Sequence, residues 1–275
     1  MKSLKSKIAI LFLIGITFPS EPDAIDFRTG AVAGVGSSII LSRPSATGLV
    51  ELPGLRIVDG YIALETGYER RFRMSELEEV FVAAAYQRSN ISLAFGLSQF
   101  GHTDFYAERT GKLSLAWFFN SVAVGGSISG REVNTGIKQD PLNTYAFGFS
   151  LSWRHDNYYL AMEIDDINRP KLHDSALPYN RKYDFYAELS GKQAFSLLLR
   201  ASLEETEKPD FTLGQLFDVS EQGSLFWFVT TEPLEYGGGI RTNFSGVSSA
   251  YSVSYHPILD LSHSISFAYT FGDSN

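Results

Sequence analysis

From Tyr145 to Trp153 every second residue is large and apolar: Tyr145, Phe147, Phe149, Leu151 and Trp153 share one face, and Ala146, Gly148, Ser150 and Ser152 the other. Side chains alternate sides along an extended strand, so this is the pattern of a β-strand with two unlike faces. The pattern recurs from Ile91 to Ser98 and from Ser264 to Phe271, where Ile265, Phe267, Tyr269 and Phe271 oppose Ser264, Ser266, Ala268 and Thr270. A strand with one face in water would carry Lys, Glu and Thr there. Here the polar face is mainly Gly, Ala and Ser, residues small enough for the inside of a closed barrel, while the large face suits lipid. The fold class expected is therefore all-β: a transmembrane antiparallel up-and-down barrel.

Candidate strands fall near 57–70, 78–88, 91–101, 108–118, 121–133, 143–154, 157–166, 182–190, 194–204, 209–218, 222–231, 234–243, 247–256 and 262–271. That makes about fourteen strands near the length that crosses a bilayer at a tilt. Tight turns at Ser89-Asn90, Phe119-Asn120, His155-Asp156 and Gly191-Lys192 alternate with longer segments around Arg73–Leu77, His102–Ala107, Asn134–Leu142 and Ile167–Arg181. Outer-membrane barrels alternate short periplasmic turns with longer outer loops in this way.

The N-terminus supplies an export route. Lys2, Lys5 and Lys7 precede an uncharged apolar run from Ile8 to Phe18, which Pro19 breaks. This is the layout of a secretory signal peptide, assigned to residues 1–24 with processing near Ala24. Residues 25–54 alternate poorly and contain Gly34, Gly36, Pro53 and Gly54. Their expected place is inside the barrel (residues 55–275), as a hatch whose backbone meets a polar wall. The expected localisation is the outer membrane of a Gram-negative-type bacterium.

Composition removes several function classes. Without Cys there is neither thiol chemistry nor a Cys-based metal site, and a net charge of −8 opposes a nucleic-acid partner. His102, His155, His173, His256 and His263 fall singly at strand ends or in loops, and no Gly-x-Ser-x-Gly nucleophile motif occurs. The expectation is a non-enzyme with no cofactor and no metal. Glu65, Glu108, Glu163, Asp165, Asp184, Glu188 and Arg200 fall on the inward parity of their strands. They either solvate and pair inside the lumen or form a polar constriction centred on Arg200. Trp117, Phe119, Trp153 and Tyr158, beside tight turns, are the candidate aromatic girdle at the inner boundary. The segments 104–112 (DFYAERTGK) and 184–192 (DFYAELSGK) differ at two positions, an echo expected to set Tyr and Glu at the same height on two strands. Expected partners are outer-membrane lipid, the barrel-assembly machinery reading a final strand that ends on Phe271, and small hydrophobic ligands or secretion components.

The stretch AVAGVGSSIILSRPSATGLVELPGL (31–55) resembles the N-terminal signature of FadL-like outer-membrane proteins, most closely their smaller PorV- and PorQ-type relatives of type IX secretion. Pro53, Gly54 and Leu55 stand where that family's Asn-Pro-Ala-Gly-Leu motif ends its hatch, with Leu52 in place of the Asn. HPILDLSHSISFAYTF (256–271) is similar to the family's closing hairpin, with Asp260 where Gly is usual, and DDINRP (165–170) and YGGGI (236–240) agree in order and spacing. The resemblance implies a 14-stranded barrel with a hatch. For function it implies passive passage of small hydrophobic molecules or, alternatively, a non-transporting scaffold associated with type IX secretion.

Overall fold

The structure, a computed structural model, describes residues 43, 45–56, 60–102, 106–134, 141–172, 178–191 and 195–271. The signal-peptide assignment, Gly34 and Gly36, and the echo residues 104, 105 and 192 lie outside the described residues. A short helix, α1 (Ala46–Glu51), precedes fourteen strands: β1 (Tyr61–Arg70), β2 (Glu78–Arg88), β3 (Ile91–His102), β4 (Tyr106–Phe119), β5 (Val122–Asn134), β6 (Leu142–His155) and β7 (Tyr158–Asp165). The second half comprises β8 (Lys182–Gly191), β9 (Phe195–Glu204), β10 (Asp210–Ser220), β11 (Gly223–Thr231), β12 (Leu234–Phe244), β13 (Val247–His256) and β14 (Asp260–Phe271). Each strand pairs antiparallel with its sequence neighbours, and β1 pairs with β14 from Ile62↔Phe271 to Arg70↔His263, closing the barrel. Closure leaves no unpaired edge, which is what a sheet needs to sit in hydrocarbon.

The side-chain alternation sorts as its chemistry demands. Leu93, Phe95 and Leu97 are each more than 40% exposed, whereas Ser92, Ala94 and Ser98 between them are buried. The same division runs through β6, where Phe147 is 49% exposed and Ser150 is fully buried. The outward surface is thus a continuous belt of aliphatic and aromatic side chains, larger than a water-soluble surface carries.

The first strand begins at Tyr61, later than the expected 57, because Gly60 turns the chain with a left-handed φ of 76°. The tight turns centre on Ser89-Asn90, Asn120-Ser121, Asp156-Asn157, Glu221-Gln222 and Ser245-Gly246, one residue later than expected at Asn120 and at Asp156. Ser89, Asn120, Asp156 and Ser245 open their turns at φ 46–51°, as two-residue hairpins require. On the opposite end, residues 71–77 and 166–181 form long connections, but 232–233 and 257–259 are short, so the length contrast fades in the second half.

Two inward glycine sites make room for aromatic rings. A Cβ on Gly67 would stand 2.4 Å from the Phe81 ring, and one on Gly237 or Gly239 would stand 2.7 Å from Phe228 or Phe226. Gly237 and Gly239 of YGGGI therefore form a smooth inner floor beneath two phenylalanines of β11.

Phe271 ends the lipid-facing row of β14 and pairs with Ile62. Removing residues 272–275 should leave membrane insertion intact, and Phe271→Ser should reduce the species that runs faster unheated on gels. A normal Phe271→Ser barrel beside a failed tail deletion would place the assembly signal in the tail.

Candidate functional site

Residues 45–56 lie within the lumen, held by the inward rows of six strands. The Ser45 side chain caps α1 by accepting from the Gly48 N–H at 3.1 Å, and the buried Thr47 donates its N–H and hydroxyl to Glu65 at 3.0 and 2.9 Å. Ala46, Leu49, Val50 and Leu52 are fully buried and pack with the inward Ala63, Ala83, Ala85 and Ala94. Small wall residues let the helix approach, and the helix's apolar side chains then fill the gap. Ser114 donates to the Val50 carbonyl at 2.7 Å, the Gly54 N–H donates to Ser150 at 3.1 Å, and Ser152 donates to the Gly54 carbonyl. Gly125 admits Pro53, since a Cβ there would come within 2.7 Å of the proline ring.

Both ends of this segment point to the short-turn end of the barrel. Arg43 forms a two-pronged ion pair with Asp218, two residues from the end of β10. Arg56 donates to the Asn120 carbonyl in the β4–β5 turn at 2.9 Å and lies over the Phe118 ring. The chain thus reaches up into the lumen and returns.

All seven sequence-derived lumen candidates sit on inward rows, but they divide among separate clusters. Glu65 holds the start of α1. Glu163 and Asp165 join Glu51 around Lys112, whose ammonium is 3.3 Å from each of the three carboxylates. These carboxylates lie within 4.8 Å of one another, and Lys112 supplies the cation between them. Asp184 receives Arg200 at 2.8 and 2.9 Å, with Lys182 at 3.9 Å, and Glu188 accepts from Ser190 at 2.8 Å. Glu108 accepts from Tyr106 at 3.2 Å near the long-loop end. Arg200 is therefore one cation among several, and the acid-rich patch is organised by Lys112.

Lys112 shares the inward parity of Glu108, Thr110 and Ser114, and that parity was the signal that could have found it. Arg43 and Glu51 lay in a segment without strand periodicity.

The echo places its glutamates at different heights, contrary to expectation. Glu108 stands eleven residues from the short-turn end of β4 and Glu188 three from that of β8, because one copy opens β4 and the other closes β8.

The long-loop mouth is partly covered by the β1–β2 connection. Arg71 sits between Glu69 (3.5 Å) and Glu79 (2.9 Å), which face each other across β1 and β2. Phe72 folds onto β13 and β14, donating its N–H to Ser262 and meeting the His256 ring edge-on at 5.8 Å. His256 faces inward and His263 outward, where it bonds Tyr251, so the two imidazoles stand on opposite sides of the wall. Beyond β7, Asp166 pairs with Arg131 at 3.2 Å, and the Arg131 guanidinium lies over Tyr179. Burial pushes the Asp166 carboxyl up, and Arg131 offsets part of that rise. Asn168 bonds the Phe147 N–H and the Tyr145 carbonyl, finishing the free edge of β6 in place of a strand.

Trp117, Phe119, Trp153 and Tyr158 all point outward at the short-turn end, with Trp117 stacked on Phe119. Phe118 turns inward.

No family model matches the chain, and no curated protein does. Among solved structures, the chain is similar to the outer-membrane protein Omp33 of Acinetobacter baumannii, at 8% identity over 78% of this chain and 100% of that one, with a TM-score of 0.54. A mutant porin of Rhodopseudomonas blastica aligns at 10% identity over 77% and 99%, with a TM-score of 0.46. Closed topology, apolar belt and the Omp33 likeness define the class: a fourteen-stranded antiparallel β-barrel of the outer-membrane type. In this chain residues 45–56 of its own sequence are seated in the lumen of that barrel.

Proposed function

We propose that this protein is an exported outer-membrane channel for small hydrophobic molecules, with residues 25–54 as its hatch and residues 1–24 as a cleaved signal peptide. It works without catalysis, metal or cofactor. Its partners are membrane lipid, the barrel-assembly machinery and its cargo. The observation that carries this reading is a second apolar strip in the lumen, away from α1. Leu198, Leu216 and Phe226 cluster on the inward faces of β9–β11 beside Phe228, whereas α1 packs on β1–β4. These side chains are 1–3% exposed, so they make an apolar patch of the lumen wall that an apolar solute would meet once the lumen opens. The resemblance to FadL-like barrels supports the same cargo class.

A specific observation favours the alternative, a non-transporting scaffold of PorV or PorQ type: the apolar face of α1 is fully buried, which resists displacement. Planar-bilayer recording separates the two. Wild-type protein should be closed most of the time, and deletion of residues 25–54 should give a steady open conductance. A deleted barrel that inserts normally yet stays closed would support the scaffold.

A further inference from the structure

We propose that the short-turn mouth of the lumen holds a binding site for a small soluble phosphate monoester, gripped between Arg56 and Arg154. The membrane reading above enters only in placing that mouth on the periplasmic side. The site lies on β4–β7, apart from the apolar strip of β9–β11.

A cavity of about 400 Å³ opens where the lumen segment returns, bordered by the β4–β5 and β6–β7 turns. The β4–β5 turn holds two arginines at it. The Asn120 carbonyl accepts from the Arg56 guanidinium at 2.9 Å, and the next carbonyl, that of Ser121, accepts the Arg154 backbone N–H at 2.8 Å. Each guanidinium lies over a ring of the cavity wall, Arg56 at 5.8 Å from the centre of Phe118 and Arg154 at 5.0 Å from that of Tyr159. A guanidinium stacked by its face keeps its N–H edge for a ligand.

Among the described residues neither guanidinium meets a carboxylate. The first acid on the inward row of β7, Glu163, is held by Lys112, and Asp156 stands at the exposed rim beside His155 at 3.6 Å. The Asn120 amide and the Ser121 and Tyr159 hydroxyls border the same cavity and add donors. In a chain of net charge −8, this corner of the lumen is rich in donors and positive charge.

The donor set selects the ligand. A carboxylate has two oxygens, and one guanidinium engages both. Two guanidiniums with an amide and hydroxyls beside them match a group with three terminal oxygens and a charge of about −2, which a phosphate monoester carries near neutral pH. At ~30 Å³ per water the cavity has room for about thirteen waters, so a short organic body fits beside the phosphate. Gly54, Ala123 and Ala161 keep its floor shallow, and Gly54 is fixed there by its N–H to Ser150 at 3.1 Å and its carbonyl to Ser152. Arg56, Asn120, Ser121 and Arg154 are exposed, so the ligand enters from the aqueous side of the short turns. Arg56 follows Gly54 by two residues. A ligand bridging it to Arg154 therefore ties the return of the lumen segment to β6.

Calorimetric titration of the folded protein in detergent micelles with glycerol phosphate tests the site. Wild-type protein should bind one ligand per barrel, and glycerol and succinate should not compete. Arg56→Gln and Arg154→Gln, checked as heat-modifiable barrels, should each weaken binding about tenfold, the loss of one charged hydrogen-bonding partner. Arg88→Gln, an exposed arginine ending β2 outside the cavity, should leave it unchanged. No binding by the wild type, full binding by Arg154→Gln, equal loss in Arg88→Gln, or succinate binding as tightly would overturn the proposal. Much tighter binding of a short-chain phosphatidic acid would assign the phosphoryl group to a lipid and overturn the soluble ligand. A second measurement needs no variant: glycerol phosphate, and not glycerol, should slow tryptic cleavage after Arg56, and unchanged cleavage would overturn the bridge. A conducting barrel that binds no phosphate monoester defeats only this site, whereas binding by a barrel that never conducts defeats the channel and leaves the site standing.

Discussion

Lys112→Met should destabilise the folded barrel by about 3–5 kcal/mol, the range found when one partner of a buried charge group is removed. The variant leaves Glu51, Glu163 and Asp165 facing one another without the ammonium that each now meets at 3.3 Å, and Glu163 is only 3% exposed. Two of those carboxylates belong to β7 and one to the end of α1, so repulsion acts between the lumen segment and the wall. Denaturant unfolding in micelles measures the cost. Protease cleavage within residues 45–56 reports whether the segment leaves. Adding Glu163→Gln to Lys112→Met should recover part of the loss, because the remaining pair of acids can separate more easily than three. A cost below about 1 kcal/mol, as for an exposed ion pair, would mean that water reaches the cluster and that Lys112 does not pin α1.

The barrel was legible because its information is periodic. On β3, β6 and β14 each residue's type states its face, and a slip by one position would bury the whole large row in the lumen. Most strand ends were read to within one or two residues, since Asn120, Asp156 and Gly246 mark turns by their tolerance of left-handed backbone. The lumen was legible only in part. Parity identified Glu163, Asp184 and Arg200 as inward, but which acid meets which base depends on strand stagger and on the lumen segment, and neither is periodic. Hence one of the two readings put Arg200 at the centre of the acids, whereas three of the carboxylates, Glu51, Glu163 and Asp165, gather around Lys112.

Helix α1 shows the other limit. Its sequence ATGLVE contains a glycine, a threonine and a valine, poor helix formers, and six residues are far below the ~12–15 that hold a helix in water. Ser45 as cap is the one local signal. What makes the segment helical is the wall around it: Glu65 takes two donors from Thr47, Ser114 takes up the Val50 carbonyl, and the alanines of β1–β3 leave space for Leu49 and Leu52. Tertiary contacts of this kind join residues far apart in the chain, 96 positions for Gly54 and Ser150 and 175 for Arg43 and Asp218, and a reading along the chain does not reach them.

Arginine at two neighbouring positions of β6 should fail in two different ways. Phe147 lies mid-strand on the lipid side, 49% exposed, and Phe147→Arg should cost ~2–4 kcal/mol near the midplane. Less heat-modifiable barrel should form, and what forms should unfold at lower denaturant. Ser150→Arg would cost little in a wide watery lumen, but Ser150 is fully buried, accepts the Gly54 N–H, and lies so close to the inner face of β5 that a Cβ on Gly125 would come 2.6 Å from its oxygen. The larger side chain has nowhere to go except into the space of Pro53 and Gly54. The expected result is a barrel that still inserts and migrates as folded, with residues 45–56 displaced, readable as new protease cleavage there and as increased conductance. Equal loss of inserted barrel at both positions would refute the division into lipid and lumen faces. A Ser150→Arg barrel with the segment still protected would mean that the wall, not the segment, yields.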